Sequence, residues 1–295
     1  MADITPSKTL VYKKVGDLEI SLDVYLPEKE SPQPPACLLW FHGGGLIQGH
    51  RNAIAPHMKK AASKYNLCVL SADYRLAPQA TIVEIASDVY DCVKFIRNDL
   101  ASRLGNTPVD TSRLAVSGSS AGGYLALLAG INVEPKPNVI IPIYPITDPL
   151  GTFFTNPQPP PMGRPAVERE TVAAYLDPNA AQVANNPKDD ARGNMYVRMM
   201  HDANLAKLWH VPEGPEANAW RLSRQIYAKR SCPAYILHGD ADSAVGVEQA
   251  DEVVGAMLGC GVEVVYERTH GEDHFLDTGA EYGNEALYAF LLKHM

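Results

Sequence analysis

The sequence has no apolar run long enough to cross a bilayer, so a helical membrane-spanning reading is excluded at the outset. Its first residues, Met-Ala-Asp-Ile-Thr-Pro-Ser-Lys, lack the apolar stretch of a signal peptide. A basic cluster is missing too. Lys and Arg number 26 against 34 Asp and Glu, a formal net charge of −8. A chain of that sign has little to offer the phosphates of nucleic acid and is repelled by anionic lipid surfaces. Cysteine is sparse and odd in number: Cys37, Cys68, Cys92, Cys232 and Cys260 lie scattered in or beside apolar stretches. Reduced, buried thiols in a cytoplasmic protein are the expectation. Internal repeats are absent, and so is a His-Glu-x-x-His zinc motif.

What is present is a chain of 295 residues, enough for one enlarged domain or a domain with a small insertion. Leu18 to Leu26 alternates apolar and polar positions after a turn at Gly16-Asp17, which predicts a half-buried antiparallel strand paired with Lys8 to Val15. The rhythm then changes. Continuous apolar runs appear at Ala36–Phe41, Leu67–Ala72, Arg113–Ser117, Val139–Tyr144, Ala234–His238 and Val262–Tyr266. Short apolar runs bounded by Gly, Asp or Pro predict strands buried on both faces, as in a parallel sheet. Helical patterns fall between them, at Ile82–Leu100, Ala121–Ile131, Val247–Leu258 and Ala280–Lys293. Alternating strand and helix predicts an α/β fold: a mostly parallel central sheet with helices on both faces and an antiparallel hairpin at one edge.

One stretch breaks the alternation. Residues 147–229 open with the proline-rich loop Asn156–Pro161 and continue with short helical patterns rich in Met and aromatics. They are expected to form a helical cap inserted into a core of residues 1–146 and 230–295. The Met and aromatic side chains either line an apolar pocket or pack the cap onto the sheet; both readings stay open.

Gly118-Ser119-Ser120-Ala121-Gly122 is a Gly-x-Ser-x-Gly pattern between an apolar strand and a helix. A sharp turn there projects the central hydroxyl, that of Ser120, at the carboxyl end of the sheet, beside a helix N-terminus that favours negative charge. His42-Gly43-Gly44-Gly45 follows another strand and can turn bare amides into a cleft. Two of these with the amide of Ala121 suit an oxyanion, each such donor being worth about 3 kcal/mol. The glycine spacing does not give a dinucleotide fingerprint, so no cofactor is expected. A base and an acid come later in the chain. Asp240 and Asp242 both follow the Ala234–His238 strand, and His270 and His274 both follow the last one. A metal site on His270 and His274 is disfavoured by Gly271 between them.

These motifs resemble the hormone-sensitive-lipase-like esterase branch of the α/β-hydrolase superfamily (alpha/beta hydrolase fold-3). The resemblance rests on His42–Gly45, Asp73-Tyr-Arg-Leu-Ala-Pro78 and Gly118–Gly123, and covers nearly the whole chain outside 147–229. It implies Asp242 as the acid, through His238-Gly239, Asp242 and Val245, and His274 as the base, through Gly271, His274 and Phe275. It also implies Gly44, Gly45 and Ala121 as oxyanion donors, and a structural Tyr74–Arg75 pair steadying the glycine loop. Two departures stand out. Ser119 replaces the Asp that often precedes the nucleophile, and the chain has a hairpin where the family's esterases carry an N-terminal helical cap. The implied function is a serine hydrolase cleaving an ester of a small or medium apolar acyl substrate. A thioesterase, lactonase, cyclase or acyltransferase would use the same residues. A ligand-binding protein on the scaffold would be expected to lose the histidine that is kept at His274. A homodimer is left open.

Overall fold

The computed structural model describes residues 4–28, 31–105 and 107–295. The chain forms β1 (Lys8–Val15), β2 (Leu18–Tyr25), β3 (Ala36–Phe41), α1 (Pro56–Tyr65), β4 (Leu67–Ala72), α2 (Ile82–Asn98), β5 (Asp110–Ser119), α3 (Ala121–Asn132) and β6 (Val139–Ile143). After residues 147–229, which contribute α4 (Met195–Asp202), α5 (Leu222–Lys229) and shorter helical turns, come β7 (Ala234–Gly239), α6 (Glu248–Gly259), β8 (Val264–Thr269) and α7 (Glu285–His294). The eight strands make one sheet in the order β1-β2-β4-β3-β5-β6-β7-β8. β1 pairs antiparallel with β2 and β2 with β4; every other pairing is parallel. This is the α/β-hydrolase fold.

Strand alternation assigns side chains to the two faces. In β3, Cys37, Leu39 and Phe41 join one core with residues of α2, α3 and α6. Ala36, Leu38 and Trp40 join the other, with Met58 and Ala61 of α1 and Leu287 and Leu291 of α7. With apolar contacts on both faces, β3, β4, β6 and β7 carry no exposed residue, which is why they read as unbroken apolar runs. α2 starts on a capping box, Thr81 accepting from the Glu84 amide while the Glu84 carboxylate accepts from the Thr81 amide. All five cysteines are free thiols, four of them buried. Among the described residues no helix is long and apolar enough to cross a membrane.

The sheet's consequence for function lies in its edge. β3, β5, β6, β7 and β8 run parallel, so the segments that follow Phe41, Ser119, Ile143, Gly239 and Thr269 all emerge at the same carboxyl end.

Candidate active site

Ser120 alone connects the end of β5 to the start of α3. Its φ of 58° and ψ of −118° fall where a residue with a Cβ sits under strain, at about 1–3 kcal/mol. The turn requires strand and helix to touch. A Cβ on Gly118 would lie 2.1 Å from the Gly122 oxygen, and one on Gly122 2.0 Å from the Phe41 oxygen. Both obstacles are backbone atoms, so these two glycines are steric requirements. The Ser120 amide donates to the Ile143 oxygen at 2.8 Å, and its carbonyl accepts from Tyr124 and Ile146. Those bonds hold the strained residue in place.

Asp242 follows β7 in a tight turn. Its Oδ1 accepts the amides of Ala244 and Val245, both at 2.8 Å, and its Oδ2 lies 2.7 Å from His274 Nδ1. Burial pushes this carboxyl up, but the His274 and His238 imidazoles and their hydrogen bonds outweigh it, and the net shift is well below the carboxylate range. An ionised Asp242 makes Nδ1 the donor and leaves His274 Nε2 as the basic nitrogen. The remaining two candidates pair with each other. His270 Nδ1 lies 3.0 Å from Asp240 Oδ2, and the His270 side chain is 98% exposed, against 3% for His274. Spacing alone left two aspartates and two histidines; the fold sorts them into a buried pair and a surface pair.

The glycine loop is held through its carbonyls. The Gly44 oxygen accepts the amides of Ile47 and Gln48, and the Gly45 oxygen accepts Trp209 Nε1 at 2.6 Å. Tyr74 Oη donates to the His42 oxygen at 2.7 Å, and its ring stacks on the His42 imidazole with centroids 4.2 Å apart. The amides of Gly44, Gly45 and Ala121 themselves have no protein acceptor among the described residues. Gly44 sits at φ 100°, a backbone conformation that a side chain would strain. Burial lowers the His42 imidazole to about 4 against the pull of Asp73 and the Gly43 carbonyl, so the ring is neutral at neutral pH.

Ser120 and His274 line one small cavity of about 50 Å³, together with Gly44, Met162 and Tyr196. A second cavity of about 200 Å³, bordered by Trp40, Ser119, Tyr144 and Thr278, shares Gly44, Gln48 and Phe275 with it. A recess of about 330 Å³ between Leu26, Pro34 and Asn66 lies at the opposite, amino-terminal end of β3 and holds neither Ser120 nor His274. Its size says nothing about the chemistry.

Residues 38–277 match the family described as alpha/beta hydrolase fold. The chain belongs to this family. It is similar to the non-reducing polyketide synthase ascC of Acremonium egyptiacum, 27% identical over 332 residues that cover 97% of this chain and 15% of that protein. The chain thus spans only 14–15% of the length of such curated relatives. Among solved structures, a protein of unknown function from Staphylococcus aureus superposes with a TM-score of 0.75 at 18% identity, covering 98% of this chain and 99% of that one. The thermophilic esterase Est2 of Thermogutta terrifontis follows the fold with a TM-score of 0.63 at 19% identity, covering 99% and 90%.

Three features of this alpha/beta-hydrolase chain escape a reading by motif. Tyr74 steadies the glycine loop as expected, but Arg75 does not join it: its guanidinium turns to Asp88 and Glu84 on α2. Trp209, from the segment after β6, reaches back to the Gly45 carbonyl. A buried indole needs a partner for its N–H, and no motif says which carbonyl it finds. Tyr144 packs its ring 4.3 Å from that of His274 and donates to Asp277, whose other oxygen faces His57 Nε2 at 3.2 Å. No motif marks Tyr144, Asp277 or His57. As for the Met-rich segment, Met195, Met199, Met200 and Trp209 are buried in the core, while Tyr196 and Met162 line the cavity, so it serves both purposes.

Proposed function

We propose that this chain is a serine hydrolase that cleaves a carboxylic ester, or a related acyl bond, of a small or medium apolar substrate. The observation that carries the reading is one cavity lined by a strained, buried Ser120 and by a His274 whose other ring nitrogen is bonded to Asp242. In the proposed cycle, Ser120 Oγ attacks the acyl carbon as His274 Nε2 takes its proton. The carbonyl oxygen becomes an oxyanion and meets the amides of Gly44, Gly45 and Ala121, where each donor is worth about 3 kcal/mol. The imidazolium then protonates the leaving group, the C–O bond to it breaks, and the acyl group stays on Ser120 as an ester. Water attacks that ester, His274 takes its proton, and collapse returns the proton to Ser120 Oγ and releases the acid. Asp242 stays ionised throughout, fixing the tautomer and balancing the imidazolium.

A second reading concerns the acyl donor and acceptor. Similarity across 97% of the chain to part of a polyketide synthase favours a substrate that is an intermediate of that kind, released from a thioester or closed to a lactone. The same residues would act. The test is a panel of p-nitrophenyl esters, matched acyl thioesters and lactones with the purified chain. Saturable turnover of at least one class is expected, and which class reacts fastest chooses between the readings. Turnover of none contradicts both.

A further inference from the structure

Of the side chains lining the Ser120 cavity, Arg164 alone carries a permanent charge. It is half-buried. Its guanidinium donates to the neutral side chain of Asn194 at 3.1 Å, and among the described residues no carboxylate lies within ion-pair reach of it. In the same segment Arg169 and Arg198 face Asp202 and Arg221 faces Asp148, while Arg192 and Arg224, like Arg164, bond to neutral oxygens; of these three, Arg164 is the one that lines the Ser120 cavity. Nearby carboxylates are already engaged. Asp273 accepts from Ser243 and from the His274 amide, and Asp242 from His274 and two backbone amides.

The turn that carries Arg164 is docked on the loops that carry the acid and the base. The Met162 amide donates to Ser243 Oγ at 2.9 Å, and the Arg164 amide closes the turn on the Pro161 oxygen at 3.1 Å. Gln48 lines the same space. Gln48 Oε1 accepts the Tyr196 amide at 2.9 Å, which orients the side-chain amide and leaves Nε2 without a protein partner among the described residues. Gln48 lines both cavities beside Gly44.

We propose that Arg164, with Gln48 Nε2, binds an anionic group, carboxylate or phosphate, carried by the substrate close to the scissile acyl bond. A planar guanidinium offers forked N–H donors that match either anion. When substrate fills the cavity and displaces water, a neutral substrate leaves the guanidinium without a direct ion-pair partner, whereas an anionic one supplies it. Pro161, Met162 and Phe275 line the same cavity and add apolar contact for the rest of the acyl group. The inference rests on the ester-hydrolase reading and narrows it to acyl substrates bearing one negative group.

The experiment compares kcat/KM within two substrate pairs. Mono-p-nitrophenyl glutarate against p-nitrophenyl butyrate places a carboxylate on the acyl side. 2-(Butyryloxy)ethyl phosphate against 2-hydroxyethyl butyrate places a phosphate on the leaving group, two carbons from the ester oxygen. In at least one pair the anionic-to-neutral ratio should fall about tenfold or more in Arg164→Gln, with Arg164→Lys recovering part of it; the pair that responds identifies the anion. Ratios unchanged in both pairs overturn the proposal. If the wild-type chain turns over no substrate, the hydrolase reading fails separately. Calorimetric titration with glutarate and with inorganic phosphate then decides the anion site alone: at least tenfold weaker binding in Arg164→Gln sustains it, and no difference removes it.

Discussion

Ser120 holds a conformation that lowers the stability of the chain, and the hydroxyl is the only part of its side chain with a use for the strain. At φ 58° and ψ −118°, glycine is at ease where serine is not. Ser120→Gly should therefore raise the unfolding free energy by about 1 kcal/mol, read as a higher urea midpoint, while turnover is lost. Ser120→Ala should lose turnover without that gain, because it keeps the Cβ. A less stable Ser120→Gly would show that the turn is not strained. His42 makes a second prediction at this scale. Burial lowers its pKa from 6.5 to about 4, so between those values the unfolded chain takes up a proton that the folded chain refuses. Stability is then fully present above pH 6.5 and falls by up to about 3 kcal/mol as the pH drops towards 4. Urea midpoints at pH 7, 5 and 4 read the fall, and His42 C2–H shifts show whether this ring titrates late. Titration near 6.5 would contradict the burial argument.

Among the elements, α2 is tied to the sheet by charge as well as by its apolar stripe. Arg75, just after β4, grips the wholly buried Asp88 through its amide and guanidinium, and Lys13 of β1 adds an ion pair at 2.7 Å. Arg75→Met leaves Asp88 with a single cation, at a cost of about 3 kcal/mol in unfolding free energy. A change below 1 kcal/mol would mean that Lys13 and water satisfy the carboxylate alone. Most elements were legible in the sequence because buried parallel strands read as apolar runs. The exceptions have local causes. β8 lies at the sheet edge with partly exposed residues, so its bounds, Val264–Thr269, run later than the apolar signal at Val262–Tyr266. The last helix begins at Glu285 instead of Ala280, because Asn284 caps it by accepting from the Leu287 amide. α1 gives little pattern: it buries His57, Met58, Ala61 and Ala62, a narrow stripe in which Met58 is the one large apolar side chain.

At the scale of the whole molecule, a parallel sheet gathers distant loops at one edge, and motif and fold therefore point to the same residues. Ser120 was legible from the glycines its turn demands. Asp242 and His274 needed the resemblance to separate them from Asp240 and His270, since burial decides that choice and spacing does not report burial. Arg164 and Gln48 carry no motif; they share a cavity with Ser120 because residues 147–229 fold back over it. The central claim is that Ser120, His274 and Asp242 act as one unit. Its most direct measurement is the rate and site of modification by a fluorophosphonate, located by mass spectrometry, in the wild-type chain and in His274→Ala. The account predicts one adduct per chain, on Ser120, formed about a thousandfold more slowly without the imidazole. A folded chain left unmodified at Ser120, or one labelled equally fast in both, would contradict it.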